Sequence, residues 1–205
     1  MNRYRAFACT LLWTLLLVYS AQSVNAQELA LGSTIPGSDV VLNDVTGGTA
    51  WISDLTGEAA TVVVFWSNQC PWIDKYTGRF NAIVSDFSER GVKFVLVNSN
   101  DGAAFPQESL EQSAAAARSF GQGVSYVSDQ SSGLAKAFGA ERTPHVFVFD
   151  GAGELAYVGT IDDSPGDPGN VTAEYLRQAL EGVTSGGSVA VPKTKAFGCT
   201  IKFKS

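Results

Sequence analysis

The stretch Val62-Val63-Val64-Phe65-Trp66-Ser67-Asn68-Gln69-Cys70-Pro71-Trp72 decides the fold. Its first five residues are continuously apolar, the pattern of a strand buried on both faces at the centre of a parallel sheet. Polar residues then break the run. From Trp72 to Glu89 the apolar residues Ile73, Tyr76, Phe80, Ile83, Val84 and Phe87 recur at helical spacing, and Gly91 stops the pattern. Cys70 therefore stands where a buried strand hands over to a helix. The unpaired N–H groups and partial positive charge of a helix N-terminus favour a thiolate over a thiol. Pro71 suits the first helical turn, where its missing N–H is not needed. The competing reading is a buried structural cysteine, since free cysteines are among the most buried residue types.

Outward from this junction, strands and helices alternate. Asp39 to Leu42 and Trp51-Ile52 are predicted strands around a Thr46-Gly47-Gly48-Thr49 turn. Val92 to Val97 is a second apolar strand, ending in Asn98-Ser99-Asn100-Asp101. An alanine-rich helix is predicted over Gln107 to Phe120, a strand over Val124 to Val127 and a short helix over Ser132 to Phe138. Val146 to Phe149 and Leu155 to Val158 form a hairpin through Asp150-Gly151-Ala152-Gly153. The last helix is predicted over Val171 to Leu180. Alternation predicts an α/β layered fold, and the late hairpin makes its sheet mixed. Gly182 to Ser188 reads as a flexible glycine–serine linker. The expected organisation is a signal peptide over 1–26, one domain over 27–183, and a linker and tail over 184–205.

The first segment carries Arg3 and Arg5, an apolar run from Ala6 to Val18, and Val24-Asn25-Ala26, in which Val24 and Ala26 are the small residues before a cleavage point. That order predicts a secretory signal cut after Ala26. An uncleaved anchor is the alternative, though the run is short for a span of about 20 residues. The expected location is the periplasm or extracellular space, with no stable membrane anchor after cleavage. Loss of Arg3 and Arg5 leaves 12 bases against 20 acids, a charge of −8. No basic run is present to neutralise phosphates, so a nucleic-acid partner is not expected, and the acidity disfavours an anionic membrane surface.

The strand and loop from Phe65 to Trp72 resemble the active-site segment of thioredoxin-like proteins. Arg142-Thr143-Pro144-His145, followed by the strand Val146-Phe147-Val148-Phe149-Asp150, resembles the threonine–cis-proline segment of the same fold. The resemblance spans roughly Ile35 to Leu180. It is closer to the redoxin branch, which includes the alkyl hydroperoxide reductase/thiol-specific antioxidant proteins. Asn68-Gln69-Cys70-Pro71, Asn98 to Asp101, Ile161-Asp162-Asp163 and Gly198-Cys199-Thr200-Ile201-Lys202 resemble a subgroup of exported redoxins.

The departures shape the expectation. Ile73 stands where a thioredoxin, as a disulfide reductase, carries its second cysteine, and Val64 where the buried strand acid would be. Ser67 matches the Thr or Ser that peroxiredoxins place three residues before their cysteine. Val63 replaces their proline, and Pro144 falls where their arginine would be, with Arg142 offset. Copper-delivery relatives need two loop cysteines and a histidine; here the loop has one cysteine and His145 is the sole histidine, so no metal or other cofactor is expected.

The resemblance implies an exported thiol oxidoreductase with Cys70 as nucleophile toward a peroxide or a protein disulfide or thiol. Ser67 would stabilise the thiolate, and Thr143, Pro144, Pro71 and Trp72 would meet the substrate. Trp66 and Trp72 also read as packing residues, and His145 as structural. Three readings of Cys199 stay open. It resolves the Cys70 intermediate, or it forms a static disulfide worth roughly 5 kcal/mol in the chain-entropy model, or the two thiols never meet. The alternative function is a redox-inactive binding module that uses the cis-proline groove. Asp162, Asp163 and Asp167 match no calcium loop, and Asn170-Val171-Thr172 is a glycosylation sequon, relevant in a eukaryotic source only.

Overall fold

A computed structural model describes residues 27–204, so the expected signal segment lies outside the described residues. The central strand forms where the apolar run predicts it, as β3 (Ala60–Phe65). Its side chains alternate between two cores. Val62 and Val64 pack with the helix α1 (Pro71–Phe87), while Val63 and Phe65 pack on the opposite face. Burial on both faces is what a continuous apolar run requires.

The remaining elements are β1 (Leu42–Asp44), β2 (Thr49–Ala50), β4 (Val92–Asn98), α2 (Leu110–Ala117), β5 (Val124–Ser128), α3 (Gly133–Phe138), β6 (Arg142–Thr143), β7 (His145–Asp150), β8 (Leu155–Gly159), α4 (Tyr175–Thr184) and β9 (Cys199–Thr200). Seven strands make one mixed sheet in the order β2-β1-β5-β4-β3-β7-β8. Strands β3, β4 and β5 run parallel, and β7 turns antiparallel against β3. The parallel centre carries Cys70 at the carboxyl end of β3, where open α/β sheets place their ligands. Leu134, Phe138 and Phe147 close one face of the sheet, and Leu176, Ala179 and Leu180 of α4 close the other.

Several element boundaries differ from the sequence reading. Trp51-Ile52 is not a strand: the Asp54 carboxylate accepts the Trp51 N–H at 3.1 Å and the chain turns into a 3₁₀ segment at Ile52–Leu55. The first strand starts at Leu42 rather than Asp39, because Val40 N–H folds back onto Gly37 O at 3.0 Å. Helix α4 begins at Tyr175 rather than Val171. Asp163 accepts the Thr172 N–H at 2.9 Å, and a 3₁₀ turn capped by Asp167 occupies Pro168–Asn170. Helix α2 begins at Leu110, capped by Ser109, after a separate 3₁₀ turn at Pro106–Glu108.

The chain after α4 is docked on the domain. Val158 N–H bonds Pro192 O at 3.0 Å and Thr194 N–H returns to Val158 O at 2.9 Å. Thr194 Oγ1 accepts the Thr160 N–H at 3.0 Å and meets Tyr157 Oη at 2.7 Å. A glycine at 159 permits this approach: its φ is +151°, and a Cβ there would stand 2.0 Å from Thr194 Oγ1. The tail then ends as β9, paired antiparallel with β6.

Candidate functional site

Cys70 is the N-cap of α1, with Pro71 in the first turn. Its side chain is 4% exposed. The sulfur lies 3.1 Å from Thr143 O, to which the thiol donates, and 2.7 Å from the sulfur of Cys199. Both cysteines are free thiols. The Thr143–Pro144 peptide is cis, and Thr143 O faces the Cys70 sulfur. Chain segments 73 and 129 residues apart thus converge on one sulfur.

Ser67 is close by, but its hydroxyl does not serve the sulfur as expected. Its oxygen accepts the N–H groups of Gln69 and Cys70, each at 3.2 Å, and its proton goes to Glu108 Oε1 at 2.5 Å. A hydroxyl has one proton, and here a buried carboxylate takes it. Ser67 therefore fixes the loop that presents Cys70.

Glu108 is the residue that sequence reading missed. It is 1% exposed. Besides Ser67 it accepts the Asn68 N–H and the Asn98 Nδ2–H, both at 2.9 Å. Every partner donates, so the carboxylate gathers three donors under the cysteine loop. Asn68 extends the brace. Its Nδ2 donates to Gln107 O at 2.9 Å and Ser113 Oγ at 3.0 Å, and its Oδ1 accepts from Tyr126 Oη at 2.7 Å. Burial pushes the Tyr126 phenol well above its ordinary value, which keeps it a donor. The only local signal for this network was the Asn98-to-Asp101 cluster at the end of β4.

Trp66 is core, packed edge-on against Phe120 and tilted on Phe80. Trp72 is partly exposed, and its ring meets Phe197 of the tail at 4.8 Å, edge to face. Trp72 and Phe197 wall a cavity of about 450 Å³ with Tyr175 and Pro165. His145 is buried, lies 4.5 Å from the Phe147 ring and stands 3.3 Å from Glu28. Asp162 pairs with Arg79, and Asp163 and Asp167 hold local turns. Among the described residues no group of three or more His, Cys, Asp or Glu side chains is placed to hold a metal.

Burial, then hydrogen bonding and charge from Cys70, push the Cys199 thiol up to about 11. A raised value favours the neutral form, so the Cys199 thiolate appears only as pH climbs toward 11, against about 8.5 for an ordinary cysteine. Alkylation of Cys199 in the reduced chain, followed by peptide mass spectrometry across pH 7 to 11, should stay slow at pH 8 and rise through the upper end. A midpoint near 8.5 would contradict this placement.

A cysteine at a strand-to-helix junction, faced by a Thr–cis-Pro strand on a mixed sheet with a parallel centre, defines a thioredoxin-like redoxin. The AhpC/TSA family profile matches residues 31–158, and the chain belongs to that family. A hypothetical protein of Sinorhizobium meliloti 1021 is 33% identical, with a TM-score of 0.79 over 87% of this chain and 97% of that one. The thiol-disulfide oxidoreductase ResA of Halalkalibacterium halodurans is 21% identical over 141 residues, 69% of this chain and 71% of the relative. The fold is shared with the thioredoxin domain of a thiol-disulfide oxidoreductase from Bacteroides vulgatus, at 18% identity and a TM-score of 0.53 over 65% of this chain and 90% of that one.

Proposed function

We propose that this chain is an exported thiol–disulfide oxidoreductase in which Cys70 is the attacking thiolate and Cys199 the resolving cysteine. The observation that carries the reading is the 2.7 Å separation of the two sulfurs. The Cys70 thiolate attacks one sulfur of a substrate disulfide, a Cys70 mixed disulfide forms, and the other substrate sulfur leaves as a thiolate. Cys199 loses its proton to solvent and attacks the Cys70 sulfur. The second substrate thiolate leaves, and the Cys70–Cys199 disulfide remains. Two electrons pass from the protein dithiol to the substrate, and an external dithiol returns them.

Two of the three main influences that raise the Cys199 thiol come from Cys70 itself. Formation of the mixed disulfide removes both influences of Cys70, so Cys199 becomes easier to ionise once it is needed.

A disulfide is better supported than a peroxide as the oxidant. The arginine nearest in sequence to Pro144, Arg142, is exposed and donates to Thr200 Oγ1 at 2.9 Å. The second reading, an inert module binding through the cis-proline groove, loses support because that edge is already paired with β9. The basic, apolar and small-residue order over 1–26 supports export. Among the described residues no helix is long and apolar enough to cross a membrane.

The resolving role has a direct test. Reduced Cys199→Ser chain treated with a small aromatic disulfide should accumulate a one-to-one adduct on Cys70, seen by intact mass. The parent chain should pass through that adduct to an unmodified chain two hydrogens lighter. Equal persistence of the adduct in both chains would remove Cys199 from the cycle.

A further inference from the structure

Strand β6 lies beside Cys70, and an extended polypeptide could join its backbone by strand addition, the usual way a peptide uses an open sheet edge. That edge is taken. Arg142 pairs with Thr200 and Thr143 with Cys199, and Ile201 N–H donates to Glu141 O at 2.9 Å. Just before the strand, Gly198 passes so close that a Cβ would stand 2.1 Å from Thr143 O, and its φ of +148° is one that side-chain-bearing residues rarely adopt. Beyond the strand the segment is anchored. Ile201 is 3% exposed, Lys202 N–H donates to Asn100 Oδ1 at 2.9 Å, and Lys202 O accepts the Asp101 N–H at 2.8 Å. Lys204 N–H donates to Ser132 Oγ at 3.0 Å. The loop after β4 is thus the dock of the tail.

We propose that residues 198–202 act as an internal occupant of the substrate edge, so that the resting chain admits compact disulfides to Cys70 and excludes extended polypeptides. This rests on the thiol–disulfide reading above. A small disulfide needs access to one sulfur, whereas a polypeptide needs the hydrogen-bonding groups of β6 that β9 holds. A polypeptide then binds only the tail-released fraction, and its apparent affinity falls by that fraction.

The test is a single-turnover comparison without added reductant. The reduced chain is mixed with excess oxidised glutathione or with insulin, and the loss of alkylatable Cys70 is followed by mass spectrometry. The parent chain should react with glutathione disulfide and only slowly with insulin. Gly198→Ala, whose methyl cannot fit against Thr143 O, should raise the insulin-to-glutathione rate ratio by about tenfold or more, as expected if the released form is ~10% populated or less. Ile201→Asp, which removes the buried anchor instead, should act in the same direction and serves if Gly198→Ala does not fold. Equal rates for both substrates in the parent chain would overturn the proposal. So would folded variants that react with glutathione disulfide yet stay inert to insulin. A parent chain in which Cys70 reacts with neither would instead sink the thiol–disulfide reading itself, and the proposal with it.

Discussion

Replacing Cys70 with serine should lower disulfide reduction by about three orders of magnitude or more, since the reaction depends on a sulfur nucleophile that a hydroxyl cannot replace at neutral pH. The structure makes this a clean substitution. The serine hydroxyl can donate toward Thr143 O as the thiol does. Helix α1 keeps Pro71 in its first turn, and Ser67 keeps its bonds to the loop N–H groups. The fold should therefore persist, with a melting temperature within a few degrees of the parent. A Cys70→Ser chain that reduces disulfides at the parental rate would leave Cys70 a structural residue.

The second large effect falls on stability. Glu108→Ala should lower the melting temperature by about 10 °C. The substitution strips the acceptor from the buried Ser67 Oγ and Asn98 Nδ2 and from the half-buried Asn68 N. Each buried donor left unpaired costs about 1–3 kcal/mol. Partial relaxation brings the total to about 3–5 kcal/mol, and each kcal/mol is worth about 2–4 °C in a domain of this size. Glu108→Gln keeps the shape and one acceptor oxygen, so its loss should be smaller. Since Asn68 and Ser67 set the loop before Cys70, the alanine variant should also slow thiol reactivity. A thermal melt of Glu108→Ala that overlays the parent would show that the network is not a structural keystone.

The sequence and the structure agree where a single local pattern suffices. The run Val62 to Phe65 announces a doubly buried strand, and the spacing from Ile73 to Phe87 announces α1 and its buried face. Cys70-Pro71 and Thr143-Pro144 mark the two sides of the site before any coordinates are known. The missed parts depend on long-range contacts. Glu108 sits beside an alanine-rich helix, where a glutamate normally reads as a solvated surface residue. It turns inward because the 3₁₀ turn at Pro106–Glu108 precedes α2, and its partner Ser67 lies 41 residues away. The segment 182–188 reads as a flexible linker because glycine and serine dominate it, and the sequence does not show that the tail beyond it is docked. The tail's docking comes from scattered bonds between its own backbone and Val158 and Glu141 backbone and the Asn100 side chain, which leave no periodic trace in the chain. The late start of α4 has the same origin, a side-chain bond between Asp163 and Thr172 across a loop.

The central claim is that Cys70 and Cys199 form one redox couple. The most direct measurement is to oxidise the reduced chain with one equivalent of a small disulfide, block remaining thiols, digest, and map the cysteine peptides over time. The account predicts transient modification at Cys70, followed by a peptide pair linked through Cys70 and Cys199, with both residues lost to alkylation together. A Cys70 that stays fully alkylatable while the oxidant persists, or a stable adduct on Cys70 with Cys199 still free, would contradict it.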